Sequence, residues 1–248
     1  MGGAFRLLLA DDWEDYALLD CGSGRKLERF GRVTVDRPDP QALWSPQTPV
    51  DSWRADAVFK EKGEDDDRGQ WLTASPLQWE MGWGPLRFYA QLESFRHMAV
   101  FPEHSTHWRW AMERIAGAGR PVRLLNLFGY TGLMSLAAAQ AGAEVVHLDA
   151  SPKVIAQGRA NQRLSGLGDR PIRWIEDDAM KFLDREIRRG RAYDAIVLDP
   201  PKFGRGPKNE VWRFETDFPR LLASVRQLLS DRPLFVIASV YAVRLSYL

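Results

Sequence analysis

The chain has 248 residues, of which 45% are apolar and 27% charged, and its formal net charge at pH 7 is +1. This is ordinary globular composition, and the length can bury one large core or two modest ones. The near-neutral charge gives no general attraction to nucleic acid, so any such binding has to use a local patch. The single cysteine, Cys21, excludes an internal disulfide framework and a cysteine-rich metal site.

Neither a membrane span nor a secretion signal is predicted from the sequence. No stretch approaches the ~18 consecutive apolar residues of a membrane helix, and the opening residues turn acidic too soon for a signal peptide. The chain begins Met-Gly, but Arg6 stands where a myristoylation signal requires Ser or Thr. Glu103, His104 and His107 lie close together without a second group of ligands, so no metal site is predicted. The expected location is the cytoplasm, without contact to a membrane.

The first 95 residues are predicted to form a β-rich module. Short apolar runs, broken by glycine, proline and charge, are typical of brief strands in hairpins, and they lie at residues 16–40, 56–72 and 85–94. The charged residues 62–70 predict a solvated loop tip. The tryptophans of this module are predicted to pack in a core or between domains, with base stacking as the alternative. They are Trp13, Trp44, Trp53, Trp71, Trp79 and Trp83.

From about residue 120 the pattern alternates between strand and helix. The predicted strands are residues 121–128, 144–149, 171–177, 193–199 and 233–240, and the predicted helices are residues 132–143, 151–168, 179–190 and 214–231. This alternation predicts an α/β fold at residues 96–248, a Rossmann-like, doubly wound and mainly parallel sheet with helices on both faces. Such a sheet binds its ligand at the carboxyl ends of its strands.

The first three strands end in residues suited to a nucleoside ligand. In NLFGYTG, Gly129 and Gly132 let the backbone approach a ligand closely, although the spacing is not that of a dinucleotide loop. Asp149 ends the second strand, where a carboxylate can accept both hydroxyls of a ribose. Asp178 and Ala179 follow the third strand and suit an adenine, although Asp178 could instead cap the next helix.

The fourth strand ends in IVLDPPKFGRG, residues 196–206. The two prolines after Asp199 fix the backbone and have no N–H to donate, so the segment is either a stiff turn or a device that holds an acid and carbonyls rigidly at the rim of the sheet. In the loop that follows, Lys202, Arg205 and Lys208 are either part of a solvated, mobile segment or a lip that grips RNA phosphates.

Together, FGYTG, HLDASP, EDDAMKF and LDPPKFG resemble the ordered motifs of class I S-adenosylmethionine-dependent methyltransferases. The pair FGYTG and DPPKF resembles, more narrowly, the large-subunit ribosomal RNA methyltransferase group, which carries a small β module before its catalytic domain. The resemblance covers roughly residues 95–240 and implies S-adenosyl-L-methionine as cofactor and RNA, ribosomal in this group, as partner. The implied cofactor contacts are Phe101, Phe128, Gly129, Tyr130, Thr131, Gly132, Asp149, Ala150, Ser151, Asp178, Ala179 and Asp199.

The resemblance implies a catalytic role for Asp199, the acid before the two prolines. Methyl transfer is an in-line displacement, so an enzyme chiefly holds the nucleophile ~3 Å from the methyl carbon. The Asp199 carboxylate and the Pro200 carbonyl would accept the protons of an exocyclic amine and aim its lone pair. Pro201 would add stiffness and Phe203 would stack on the target base. The predicted reaction is methylation of a base nitrogen in RNA.

The sequence departs from the family pattern in three places. Lys202 stands where the best-known amino methyltransferases have an aromatic residue. No cysteine follows the fifth strand, so covalent cytosine-C5 chemistry is not predicted. The chain stops at Leu248, before the usual final hairpin, and a shortened carboxyl end is expected. Two other functions stay open: a nucleotide-dependent oxidoreductase on the same fold, and a noncatalytic RNA-binding module.

Overall fold

The computed structural model describes residues 7–10, 13–62, 69–73 and 76–240. The chain divides into two compact units, Met1–Thr106 and His107–Leu248, so the division falls after Thr106, whereas the sequence predicts a boundary after residue 95. Among the described residues, no helix has both the length and the apolar character that crossing a membrane requires.

The first unit is built from short strands, as the sequence predicts. They are β1 Tyr16–Gly22, β2 Arg25–Phe30, β3 Val33–Pro38, β4 Ala57–Glu61, β5 Gly69–Thr73, β6 Gln78–Trp83 and β7 Leu86–Gln91. Strands β1 to β5 form one sheet in chain order, antiparallel except between β3 and β4. Strands β6 and β7 form a separate hairpin. Most of the predicted charged loop tip lies outside the described residues.

Most tryptophans of the first unit pack in its interior. Trp13, Trp53, Trp79 and Trp83 are all buried. Trp71 is partly buried and donates its indole N–H to the carbonyl of Glu93. Trp44 is 57% exposed, and its N–H bonds the carbonyl of Cys21. Core packing therefore accounts for at least four of the six side chains without any nucleic-acid contact.

The second unit alternates strands and helices. Helix α1, Ser105–Ala116, precedes β8 Arg123–Leu127, α2 Leu133–Gln140, β9 Glu144–Asp149, α3 Pro152–Leu164, β10 Ile172–Glu176, α4 Ala179–Arg188, β11 Ala195–Leu198, β12 Phe203–Arg205, β13 Val211–Arg213, α5 Phe214–Gln227 and β14 Phe235–Ala238. Helix α1 and the β12–β13 hairpin are absent from the sequence prediction. The five predicted strands and four predicted helices are present.

The five predicted strands form one parallel sheet in the order β10–β9–β8–β11–β14. The order reverses between β8 and β11, which makes their carboxyl ends the switch point where such folds bind ligands. Alternate residues of three strands face helices α4 and α5 and form a buried core: Leu125, Leu127, Val146, Leu148, Ile196, Leu198, Phe182, Leu183, Leu221 and Val225. The predicted doubly wound α/β fold is confirmed.

Candidate active site

The strand register brings the predicted motifs to one edge of the sheet. Leu127 pairs with Leu148 on one side and with Leu198 on the other, and Asp149 pairs with Glu176. Each motif begins one or two residues beyond these positions. The loop after β8, the acid that ends β9, the turn before α4 and the prolines after β11 therefore all leave the sheet at its carboxyl edge.

The loop at residues 128–132 has an unusual backbone. Phe128, Tyr130 and Gly132 have φ angles of 56°, 49° and 88°, all in the left-handed region. This conformation is strained in residues other than glycine, and such strain is concentrated at functional sites. When left-handed residues alternate with other residues, successive backbone N–H groups point toward one concave side of the loop. These N–H groups can donate hydrogen bonds to the oxygen atoms of a ligand.

The Asp149 carboxylate joins this loop to the turn after β9. Its Oδ2 accepts the N–H of Tyr130 at 2.9 Å, and its Oδ1 accepts the N–H of Ser151 at 2.9 Å. Burial raises the pKa of Asp149, while the backbone N–H groups of Ser151, Tyr130 and Ala150 act in the opposite direction. A carboxylate has about four acceptor positions, so Asp149 keeps room for a further donor, such as a ribose hydroxyl. The ribose hydroxyls of a nucleoside cofactor are such donors, so the Asp149 carboxylate fits the binding of a nucleoside.

Asp178 caps helix α4. Its Oδ1 accepts the N–H of Lys181 at 2.9 Å. The capping alternative raised by the sequence is therefore confirmed. The cap uses one oxygen, and the other carboxylate oxygen has no hydrogen bond within the described parts of the chain. Ala179 is buried directly after it, so an adenine amino group could still be accepted beside a small side chain.

A buried polar network that the sequence analysis missed lies behind the loop. Ser135 Oγ lies 2.9 Å from His147 Nδ1 and accepts the amide N–H of Asn126 at 3.0 Å. The His147 ring also packs on Trp174, with centroids 4.4 Å apart. A signal was available: Asn126 and His147 are polar residues in otherwise apolar strands, and they pair in register.

This network gives the loop glycines a second role. A Cβ on Gly129 would lie 2.3 Å from His147 Cε1, and one on Gly132 would lie 2.5 Å from Trp174 Cη2. The sequence predicts that a ligand lies in this space, but at these two Cβ positions the protein's own rings fill it. The glycines are required for close packing of the loop, whatever lies on its other side.

Acidification below pH 6.5 is expected to destabilise the protein partly through His147. Burial lowers the pKa of this imidazole from 6.5 to about 3, so between these values the unfolded chain binds a proton that the folded chain does not. The free energy of unfolding should therefore fall by ~1.4 kcal/mol per pH unit from this group. Urea unfolding between ~pH 5 and ~pH 8 should show a shallower decline in His147→Asn than in the wild type. Equal slopes would contradict this expectation.

Asp199 and the prolines form a fixed rim. The N–H of Asp199 lies 3.4 Å from the carbonyl of Leu127, and its Oδ1 is shielded from solvent. Pro200 is buried. The carbonyl of Pro201 accepts the indole N–H of Trp212 at 2.7 Å, whereas nothing in the described chain donates to the carbonyl of Pro200. An acid and a carbonyl therefore lie at the same strand end, and their role as an acceptor pair stays a prediction.

The segment after the prolines is a hairpin, whereas the sequence predicts only a loop here. Strand β12 pairs with β13, and Trp212 packs on Phe128, with ring centroids 5.2 Å apart. The missed signal was the turn sequence Pro207–Lys208–Asn209, in which Asn209 adopts the left-handed conformation. The side chains of Lys202, Arg205 and Lys208 are exposed on this segment.

Phe101 belongs to the first unit, whereas the other predicted site residues belong to the second. Its ring packs near His97 and His104, with centroids 5.3 and 5.8 Å away. Its contact with a cofactor stays a prediction. In the described part of the chain, no group of three or more His, Cys, Asp and Glu side chains could hold a metal ion.

The fold and the strand-end acids define a nucleoside-binding α/β domain, and comparison with known families gives it a class. The profile of the S-adenosylmethionine-dependent methyltransferase family matches residues 25–240. The chain belongs to this family.

Individual relatives agree with this class. A crystal structure of an S-adenosylmethionine-dependent methyltransferase from Agrobacterium tumefaciens is 46% identical, with a TM-score of 0.90, and the match covers 95% of this chain and 75% of that one. Ribosomal RNA large subunit methyltransferase K of Neisseria meningitidis is 28% identical over 60% of this chain and 42% of its own length. The K/L enzyme of Chromohalobacter salexigens is 30% identical over 66% of this chain and 22% of its own. The chain thus spans less than half of these two curated relatives.

Proposed function

We propose that the protein is an S-adenosylmethionine-dependent methyltransferase that methylates a base nitrogen of RNA, with ribosomal RNA as the substrate. One observation carries the proposal: Asp149, the loop at residues 128–132 and the Asp199–Pro200 rim leave three consecutive strands of the sheet, β9, β8 and β11, at its carboxyl edge. The names of the Neisseria and Chromohalobacter relatives support RNA as the substrate class.

The carboxyl edge has the groups needed to hold the cofactor. When bound, S-adenosylmethionine supplies a methyl group attached to a positively charged sulfur. The loop Phe128, Gly129, Tyr130, Thr131 and Gly132 would surround the methionine portion. Asp149, Ala150 and Ser151 would hold the ribose, and Asp178 with Ala179 the adenine. Phe101 and Asp199 complete the proposed contacts.

Asp199 and Pro200 would hold the target nitrogen. A base amine is a poor nucleophile while its lone pair is delocalised into the ring. Two acceptors that bind its protons favour a pyramidal nitrogen whose lone pair points away from them. The proton released on methylation would pass to the Asp199 carboxylate and then to solvent. Because Trp212 bonds the carbonyl of Pro201, the two prolines keep this acceptor pair in one position.

The charges after the rim would bind the RNA backbone. Lys202, Arg205 and Lys208 are exposed next to the proposed catalytic strand end, and phosphate contacts of this kind supply most sequence-independent affinity. They would position the RNA, while the rim selects the base.

Asp149→Ala is expected to lower the affinity for S-adenosylhomocysteine at least about 100-fold, because two charge-assisted hydrogen bonds are lost. Calorimetric titration measures the loss. Since Asp149 also holds the loop, a 2′,3′-dideoxy analogue of the ligand separates the two roles. The wild type should bind this analogue weakly, and Asp149→Ala should bind it no worse than the parent ligand. If Asp149→Ala instead bound the analogue as much more weakly than the parent ligand as the wild type does, Asp149 would only shape the loop.

The proposed function is tested by incubating the protein with methyl-labelled S-adenosylmethionine and total RNA from a strain lacking it. The expected result is label in one position of ribosomal RNA, recovered as an N-methylated base nucleoside. Label on a ribose, on a base carbon or on protein would overturn the target atom or the substrate class. Thermal stabilisation by NADH but not by S-adenosylhomocysteine would instead favour the oxidoreductase alternative.

A further inference from the structure

The β12–β13 hairpin has two different faces. Gly204 lies opposite Trp212 in the register, and Trp212 is 6% exposed, so this pair forms the inner face. The other two cross-strand pairs form the outer face: Phe203 with Arg213, and Arg205 with Val211. All four outer residues are exposed, and Phe203 is 51% exposed.

The inner face fixes the hairpin to both halves of the proposed active site. Trp212 donates to the carbonyl of Pro201, at the catalytic strand end, and packs on Phe128 of the cofactor loop. The N–H of Phe214 closes the base of the hairpin by bonding the carbonyl of Lys202 at 3.0 Å. Whatever the outer face binds is therefore held at a fixed position relative to the Asp199 rim.

The turn of the hairpin is fixed as well. Glu210, the only acidic residue among residues 202–213, accepts hydrogen bonds through both of its carboxylate oxygens. Glu210 Oε1 accepts the ammonium of Lys181 at 2.5 Å, and Oε2 accepts the N–H of Lys208 at 2.8 Å. The Lys181 hydrogen bond lowers the pKa of Glu210 to about 2. The remaining charged side chains of residues 202–213 are cations, namely Lys202, Arg205, Lys208 and Arg213.

On the outer face, the Arg213 guanidinium lies over the ring of Phe203, 5.7 Å from its centroid. An exposed aromatic ring with a cation on one side is a surface on which a flat base can stack. The neighbouring cations suit the phosphates on either side of such a base. A protein partner would be expected to meet a more apolar and less charged surface.

We propose that the outer face of the hairpin binds one unpaired nucleotide of the RNA, with its base on the Phe203–Arg213 pair and its phosphates near Arg205 and Lys208. Phe203 faces away from the side that packs on Phe128 and Pro201. The base it stacks is therefore a neighbour of the methylated base rather than that base itself, which revises the role that the sequence suggests for Phe203. This inference rests on the proposed RNA substrate and adds Arg213 to its binding residues.

The test uses the full chain and a fluorescein-labelled 12-nucleotide single-stranded RNA, with an abasic oligonucleotide of the same length as the second probe. Phe203→Ala and Arg213→Gln should each weaken anisotropy-measured binding of the base-bearing RNA about tenfold. Phe203→Ala should leave binding of the abasic strand unchanged, and Phe203→Tyr should retain wild-type binding of both. Arg226→Gln, an exposed cation at the end of α5, is the matched charge control.

Equal losses on the abasic and base-bearing strands would overturn stacking, since charge alone would then explain them. Unchanged RNA binding in both variants would also overturn the proposal and leave the outer face to a protein partner. Failure of the proposed function is distinguishable from either result: the base-dependent difference would persist although no methyl group is transferred to RNA. If methyl transfer is present and the difference absent, only the hairpin proposal fails.

Discussion

Replacing Asp199 by alanine is expected to lower methyl transfer at saturating S-adenosylmethionine by about 10²–10⁴-fold, the range for removing a positioned proton acceptor. The affinity for S-adenosylhomocysteine should fall much less than turnover, because Asp199 is one of several proposed cofactor contacts and the ribose and adenine contacts are proposed to come from Asp149 and Asp178. The loss should therefore appear in kcat rather than in the cofactor's KM. Initial rates with labelled cofactor and RNA measure both quantities.

Asp199→Asn sharpens this test, because it keeps the size and one oxygen acceptor but cannot take up the proton. Its rate should lie between those of the wild type and Asp199→Ala. Lys202→Ala, three residues further along, serves as a neighbouring control: it should weaken RNA binding without lowering the rate at saturating RNA. Wild-type turnover in Asp199→Ala would refute the amine-holding role.

Replacing Gly129 by alanine is expected to lower the affinity for S-adenosylhomocysteine about 10²-fold. The new Cβ would lie 2.3 Å from a buried ring atom of His147 and 2.9 Å from Asn126 Nδ2, neither of which has room to withdraw. The loop would have to move by roughly 1 Å to relieve this clash. A displacement of that size in groups that hold a ligand costs about 10²-fold. Overpacking of this kind also lowers stability by about 1–3 kcal/mol. Calorimetric titration and urea unfolding measure the two losses.

Two further variants separate a local clash from general damage. Gly168→Ala is the matched control, since no atom lies within 4 Å of its added Cβ, and it should behave as wild type. His147→Ser removes the ring that the new methyl group would strike, so the double variant Gly129→Ala/His147→Ser should bind cofactor better than Gly129→Ala alone. Additive losses would place the damage outside this contact.

The fold could be predicted because its signals are local and repeated. Apolar strands alternate with helices that have clear starts and stops, as with Ser151 and Pro152 before α3. The rule that parallel sheets bind at their carboxyl edge then placed Asp149, Asp178 and Asp199 at one edge, and the register agrees.

What the sequence did not predict depends on contacts between distant residues. Trp212 lies eleven residues beyond Pro201. Its hydrogen bond exists only because β12 and β13, of three residues each, pair as a hairpin and bring Trp212 back to the prolines. Ser135 and His147 meet across a helix and a strand. The hairpin strands are too short for periodicity to reveal, and glycine in KFGRGPK favoured a loop. Asp178 shows the converse: one residue can cap a helix and still offer an oxygen to a ligand.

Photolabelling tests the central claim most directly, namely that the carboxyl edge of the sheet holds S-adenosylmethionine beside Asp199. The full chain is irradiated with methyl-tritiated cofactor, digested with trypsin, and the labelled peptides are sequenced. Label is expected in residues 124–153, which contain the loop and Asp149, or in residues 192–202, which contain the rim. Excess S-adenosylhomocysteine should remove the label, and NADH should not. Label confined to the first unit, or removed by NADH alone, would show that the cofactor does not bind at this edge.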